Sequence, residues 1–435
     1  MPYLVHDPAD RQAMLAEIGV ASMEELLVDI PASLRRQPIN LPEGLSELEV
    51  LREIEALAGE NRIYADRLTF RGGGVYRRFI PAAVAAVIAK PEFATAYTPY
   101  QAEASQGTLQ AMFEYQTLIA ELTALDVANA SLYDGATALV EAAMIAVGHT
   151  GRKRVAVLSY LHPEYLEVLR CYGEGQGFEV DVLDPSDRPN EDHAALLWQQ
   201  PDWLGRLHAD PQTLSELAHQ VGALAVVSVD PISLALLSAP GEYGADIAVG
   251  EGQQLGMPPL FGGPHLGFIA CTSELVRRMP GRLVGQAEDE SGRRGFVLTL
   301  STREQHIRRG RASSNICTNH SLCALAASVY LTYMGAEGLE QVATIGAQRA
   351  HALAERLVEL PGIELAFPEH HFLNEFALRV NDPEALLTRL NRVGILGGLR
   401  AERWYPEQRS ILLFCCTEVN DPAAIDQLVE IAADE

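Results

Sequence analysis

At 435 residues the chain is long enough to bury a large core and to divide into more than one domain. Its 48% hydrophobic and 21% charged residues are the proportions of an ordinary water-soluble globular protein, which excludes fibrous and disordered classes. A formal net charge of −25 argues against nucleic acid as a partner, because phosphate binding needs a basic surface.

The N-terminus, MPYLVHDPADRQ, lacks the basic-then-apolar layout of a signal peptide. No uninterrupted apolar run approaches the ~20 residues needed to span a bilayer, so a cytoplasmic protein without a membrane is expected. The first sixty residues read as helical and connective. Ser22 with Glu25, and Ser46 with Glu49, have capping-box spacing ahead of apolar periodic runs. A Gly-rich segment follows, FRGGGVYRRFIP (70–81), which joins Gly72, Gly73 and Gly74 to Arg71, Arg77 and Arg78. Glycines there allow close backbone approach to a ligand and arginines suit carboxylate or phosphate; a flexible hinge is the competing reading. Residues 81–89 predict a helix. The loop 97–107 packs Tyr97, Tyr100 and Gln101 around Pro99, either to present hydrogen-bond donors to a cofactor or as an ordinary helix start capped by Ser105. A long helix is predicted over 108–125 from Leu109, Met112, Phe113, Leu118 and Leu122.

From about 126 to 320 strands and helices alternate, which implies a mainly parallel sheet covered by helices. SLYDGAT (131–137) opens a helix whose N-terminus either receives a phosphate or is simply capped by Asp134. Strand RVAVLS, helix PEYLEVLRCYG, strand FEVDVL, helix TLSELAHQVGA and strand LAVVSV follow. Asp230 ends the last of these, placed either to face a pyridine nitrogen or as a turn residue before Pro231. Strand GADIAVG then runs into EGQQLGMPPLFGGPH and a second strand, LGFIAC. Many pyridoxal-phosphate (PLP) enzymes carry a Schiff-base lysine in such a turn. Here Gln253 and Gln254 stand there, and an amide cannot form an imine. Arg277, Arg278 and Arg282 in RRMPGRLVG offer a basic docking cluster or a solvated helix end. After strand GFVLTL comes the polar stretch 299–320, in which His306 is an acid–base candidate or a structural histidine, and Asn315 and Thr318 are further polar candidates. Residues 320–360 are helical, and strand, strand, helix, strand, helix to the C-terminus makes a small α+β unit.

Of thirty-three basic residues only Lys90 and Lys153 are lysines, and both read as solvated element ends. If the chain takes part in imine chemistry, the amine comes from another polypeptide. The six cysteines form no CxxC pair and the twelve histidines no metal spacing, so neither a disulfide nor a metal site is expected.

The segments FRGGGVYRRFIP, YTPYQAEASQGTLQAMFEYQT, DVANASLYDGAT, GEGQQLGMPPLFGGPHLGF, RRMPGRLVG and LTLSTREQHIRRGRASSNICTN resemble the glycine cleavage system P-protein, the PLP-dependent glycine decarboxylase. The likeness is to its N-terminal half, or to subunit 1 (α) where the enzyme is split. It implies an α/β type I PLP-dependent transferase fold, similar to aspartate aminotransferase, in three parts: an N-terminal helical and connective segment (1–69), a large α/β domain (70–325) and a smaller C-terminal α+β domain (326–435). It also implies that subunit 2 (β) binds pyridoxal 5'-phosphate covalently, that this chain carries no catalytic residue of its own (Gln253 at the lysine position), and that two αβ pairs form an α2β2 heterotetramer. Glycine and lipoylated H-protein are the implied substrate and partner. Arg71, Gly72, Gly73, Gly74, Tyr97, Tyr100, Gln101, Asn315 and Thr318 are then the residues expected to help build the site shared with the β subunit. The alternatives are a structural or regulatory partner that adds nothing to the β pocket, and an independent hydrolase using His306, against which the lack of a GxSxG elbow counts.

Overall fold

A computed structural model describes residues 5–35, 40–61, 68–260 and 262–434. The chain divides into two units, Met1–Ile63 and Tyr64–Glu435. In the first, helix Pro8–Ile18 starts at a capping box of Asp7 and Asp10, and helix Glu47–Gly59 at one of Ser46 and Glu49, as the spacing predicted. The Ser22 box does not form. Met23–Leu27 is a 3₁₀ turn without a side-chain cap, and the Glu25 carboxylate accepts the Ala21 N–H instead, at 3.1 Å.

The second unit is built on a seven-stranded sheet of β1 (Val127–Ala128), β2 (Arg154–Leu158), β3 (Glu179–Leu183), β4 (His193–Gln200), β5 (Leu224–Val229), β6 (Ile247–Glu251) and β7 (Gly267–Cys271). Its order is β1-β7-β6-β5-β4-β2-β3, and β7 alone runs against its neighbours. β4, inside this sheet, was not among the predicted strands. Its run HAALLWQQ has no β-branched residue, whereas the predicted β2 and β5 are rich in valine, so its composition did not signal a strand. Alternate β4 side chains feed two cores. Leu196 and Trp198 pack on one face with Ala327 and Tyr330 of helix Ser321–Val358, while Ala195 and Leu197 pack on the other with Leu139 and Ala143 of helix Gly135–Thr150.

A ribbon of β8 (Leu283–Glu288) and β9 (Arg294–Thr299) follows, so Arg282 stands just before a strand, while the exposed Arg277 and Arg278 do end a helix, the 3₁₀ turn Ser273–Arg278. A smaller antiparallel sheet, β10 (Ile363–Leu365), β11 (Glu375–Val380), β12 (Leu399–Arg400) and β13 (Ile411–Cys415), is ordered β10-β11-β13-β12. Helices Pro383–Arg392 and Pro422–Ala433 cover it through Leu386, Leu390, Ile425 and Leu428. Helix Ser321–Val358 reaches both sheets and is broken at Gly335, which adopts φ 61°. By length and composition this helix could cross a membrane, a possibility the sequence reading did not see, but Ala324, Leu331, Leu353 and Leu357 lie in the protein core.

Candidate functional site

Because β4, β5 and β6 are parallel neighbours, their C-terminal ends bring Gln200, Asp230 and Glu251 side by side, the edge at which open α/β sheets bind ligands. Beyond Glu251 the chain turns through Gly252, with the Leu255 N–H donating to the Gly252 carbonyl at 2.9 Å. Gln253 is buried, and every polar atom of its side chain is used. Its Oε1 accepts the Tyr76 N–H at 3.0 Å, and its Nε2 donates to the carbonyls of Tyr76 (3.1 Å) and Met257 (2.6 Å). Gln254 donates to Asp230 Oδ1 at 2.6 Å and accepts from Arg78 Nε at 3.1 Å, and Arg78 in turn pairs with Glu418 at 3.0 Å. The two amides therefore tie the Gly-rich segment into the cleft. Burial raises the Asp230 carboxyl, opposed by the Arg78 charge and by the N–H groups of Ile232 and Ser233.

The smaller sheet closes the cleft. Glu375, at the start of β11, accepts the Tyr76 hydroxyl at 2.8 Å and the Gly73 N–H at 2.6 Å. Burial pushes its carboxyl up to about 7 despite those two donors. His162 meets the Gly73 carbonyl at 3.0 Å and stacks on Tyr165 at 4.5 Å, and burial lowers its pKa. What remains is a cavity of about 50 Å³ lined by Gly74, Tyr76, His162, Asp230, Glu251 and Glu375 among others, room for a few waters.

The N-terminus of helix Gly135–Thr150 is already satisfied. Asp134 caps it reciprocally with Thr137, and the Gly135 N–H donates to Glu251 Oε2 at 3.0 Å. The same carboxylate takes the N–H groups of Gln253 (2.8 Å) and Leu266 (3.0 Å) and raises the pKa of His265, 3.5 Å away. Of the two readings of SLYDGAT the capped helix start is the observed one. A phosphate-bearing coenzyme does not fit these residues. An anion would face Glu251, the small cavity is walled by acids, and Lys90 and Lys153 are exposed elsewhere.

The predicted site residues fall into two groups. Gly72, Gly73 and Gly74 belong to the cleft, where a Cβ on Gly72 would come within 2.5 Å of Glu375 Oε1 and one on Gly74 within 3.0 Å of His162 Nε2. Arg71 points elsewhere: its Nε donates to the Gly397 carbonyl at 3.1 Å, beside a groove with Leu399, Arg400, Arg403 and Trp404. Tyr97, Tyr100, Gln101, Asn315 and Thr318 are all exposed. Arg282 joins the stretches that carry them, bonding Thr98 and Thr318 and lying 5.8 Å from the Tyr100 ring centroid. Arg282 is itself buried at 3% exposure, so it is not a surface docking residue; its position at the start of β8 turns it inward, while Arg277 and Arg278 remain exposed. His306 lies 3.7 Å from Glu304 and edge-on to Tyr100.

Sequence reasoning missed Tyr76, His162, Tyr165, Glu251 and Glu375. For Glu375 one signal exists, a carboxylate facing inward at the head of the apolar strand EFALRV.

A family model described as glycine cleavage system P-protein matches residues 1–432. The probable glycine dehydrogenase (decarboxylating) subunit 1 of Moorella thermoacetica is 48% identical over 441 residues, covering 99% of this chain and 98% of that protein. A crystal structure of glycine decarboxylase (P-protein) of the glycine cleavage system, in inhibitor-bound form, superposes with a TM-score of 0.91 at 45% identity, covering 100% of this chain and 99% of that one. An aspartate aminotransferase from Thermus thermophilus has a TM-score of 0.56 at 16% identity over 84% of this chain and 98% of that one, a likeness of fold alone.

Proposed function

The chain belongs to the glycine cleavage system P-protein family, and we propose that it acts as subunit 1 (α) of glycine dehydrogenase (aminomethyl-transferring, decarboxylating), active as a complex with subunit 2 (β). One observation carries this reading: a buried amide, locked by three hydrogen bonds, stands where a PLP enzyme needs an amine. PLP on a lysine of the β subunit supplies the electron sink for loss of CO2 from glycine, and the aminomethyl group goes to the lipoyl disulfide of H-protein. In this reading two αβ pairs form the heterotetramer and the complex works in the cytoplasm.

This chain's contribution is positional. Its closed cleft fixes the Gly-rich segment and the sheet edge. The exposed tyrosines, Gln101, Asn315 and Thr318 donate and accept hydrogen bonds at the shared site and help to exclude water from it. The test is to mix the purified chain with PLP, alone and then with subunit 2, and to fix any Schiff base with borohydride. Coenzyme attached to subunit 2 only is expected. Coenzyme recovered on this chain refutes the reading.

A further inference from the structure

Two arginines are buried among the described residues, and the first, Arg78, pairs with a carboxylate, that of Glu418, at 3.0 Å. Arg282 does not. It is 3% exposed, and its partners are all neutral: Asn319 Oδ1 at 2.8 Å, the Cys317 carbonyl at 3.0 Å, Thr98 Oγ1 at 3.1 Å and Thr318 Oγ1 at 3.2 Å. Its Nε–H has no acceptor among the described residues. A guanidinium held out of water without a counter-charge, and with an idle donor, is costly unless an anion arrives to complete it.

The surroundings make a built receptor. Two separate segments converge on the guanidinium, the loop at Thr98 and residues 317–319. Asn319 is itself fixed by donating to the Ala130 carbonyl at 3.0 Å and to Ser131 Oγ at 3.3 Å. The cover on the outer side is thin, since Cys317 and Thr318 are exposed and the Tyr100 ring is 57% exposed. We propose that Arg282 is the receptor for a small-molecule oxyanion, a carboxylate or a phosphate monoester, that this chain does not itself supply. The charge of the guanidinium and its one idle donor, Nε–H, suit either group. The sources rest on the function proposed above: the carboxylate is that of glycine, the phosphate that of the coenzyme on subunit 2.

The experiment uses the assembled complex with subunit 2. In crystals of the wild-type complex soaked in selenate, the anomalous selenium signal is expected at charge-assisted hydrogen-bond distance from Arg282. In solution, Arg282→Gln is expected to weaken either glycine or PLP binding by about tenfold or more, with Arg282→Lys in between. A change for glycine alone assigns the carboxylate. A change for PLP but not for pyridoxal, which lacks the phosphate, assigns the phosphate. Selenate absent from Arg282, or both constants held within about twofold in an intact Arg282→Gln complex, overturns the proposal. If Arg282→Gln does not assemble, the selenate map and Arg282→Lys decide. Because selenate binding is read without turnover, a complex that fails to decarboxylate glycine sinks the proposed function and leaves this test standing.

Discussion

Gln253 is a structural fixture of the turn that follows β6. The Gln253 amide gains three hydrogen bonds that an ammonium, a donor only, cannot reproduce, because its Oε1 is the acceptor for Tyr76. Gln253→Lys alone is therefore expected not to make this chain a coenzyme carrier. Borohydride treatment with PLP followed by mass spectrometry checks it, and a mass increase at residue 253 contradicts the account. Glu375 makes a second prediction. Its folded pKa of about 7 lies above the ordinary value of 4.5, so the native state favours the protonated acid. The resulting stability is present below the ordinary pKa and is lost as pH rises through about 7. Asp230, raised by burial as well, acts with the same sign. Wild-type protein is expected to lose about 2–3 kcal/mol relative to Glu375→Gln between pH 5 and 8, read by urea unfolding at each pH. Parallel profiles for the two proteins would disprove it.

Elements were legible where the chain alternates or carries caps. Helix Gly135–Thr150 declares itself through Asp134, and helix Glu47–Gly59 through Ser46 and Glu49, because a capping box is a local bargain between residues three apart. β4 was not legible, since HAALLWQQ carries none of the β-branched residues that revealed the equally buried β2 and β5. The cleft was hidden for another reason: Gln253 and Gln254 were visible in a motif, but Tyr76 to Glu375 and Gly73 to Glu375 are contacts across about three hundred residues. Arg282 read as surface charge because its acceptors lie on two other segments. β4 should be correspondingly sensitive. Trp198, fully buried between β4 and helix Ser321–Val358, is expected to cost about 3–5 kcal/mol when replaced by alanine, measured by denaturant unfolding. A loss below about 1 kcal/mol would mean β4 is not the packing spine it looks to be.

At the scale of the whole molecule, what this chain conceals and what it presents are clearly separated. Asp230, Glu251 and Glu375 line a cleft of its own, while Tyr97 and Tyr100, 87% and 57% exposed, lie outside it. Under the proposed function these two rings belong to the surface that subunit 2 completes. Tyr97→Ala and Tyr100→Ala together are expected to lower turnover of the assembled complex about tenfold or more, without changing its size by light scattering or its coenzyme content. Full turnover in an intact complex would instead favour a purely supporting role for this subunit.

The relay from Glu418 through Arg78 and Gln254 to Asp230 has a consequence for any redesign of the cleft. Each member leans on the next, so changing any one alone strands a charge or a dipole in a dry interior. Installing an amine among these groups would take several coordinated substitutions with costly intermediates. The polar mortar of the chamber thus behaves as a ratchet against piecemeal change.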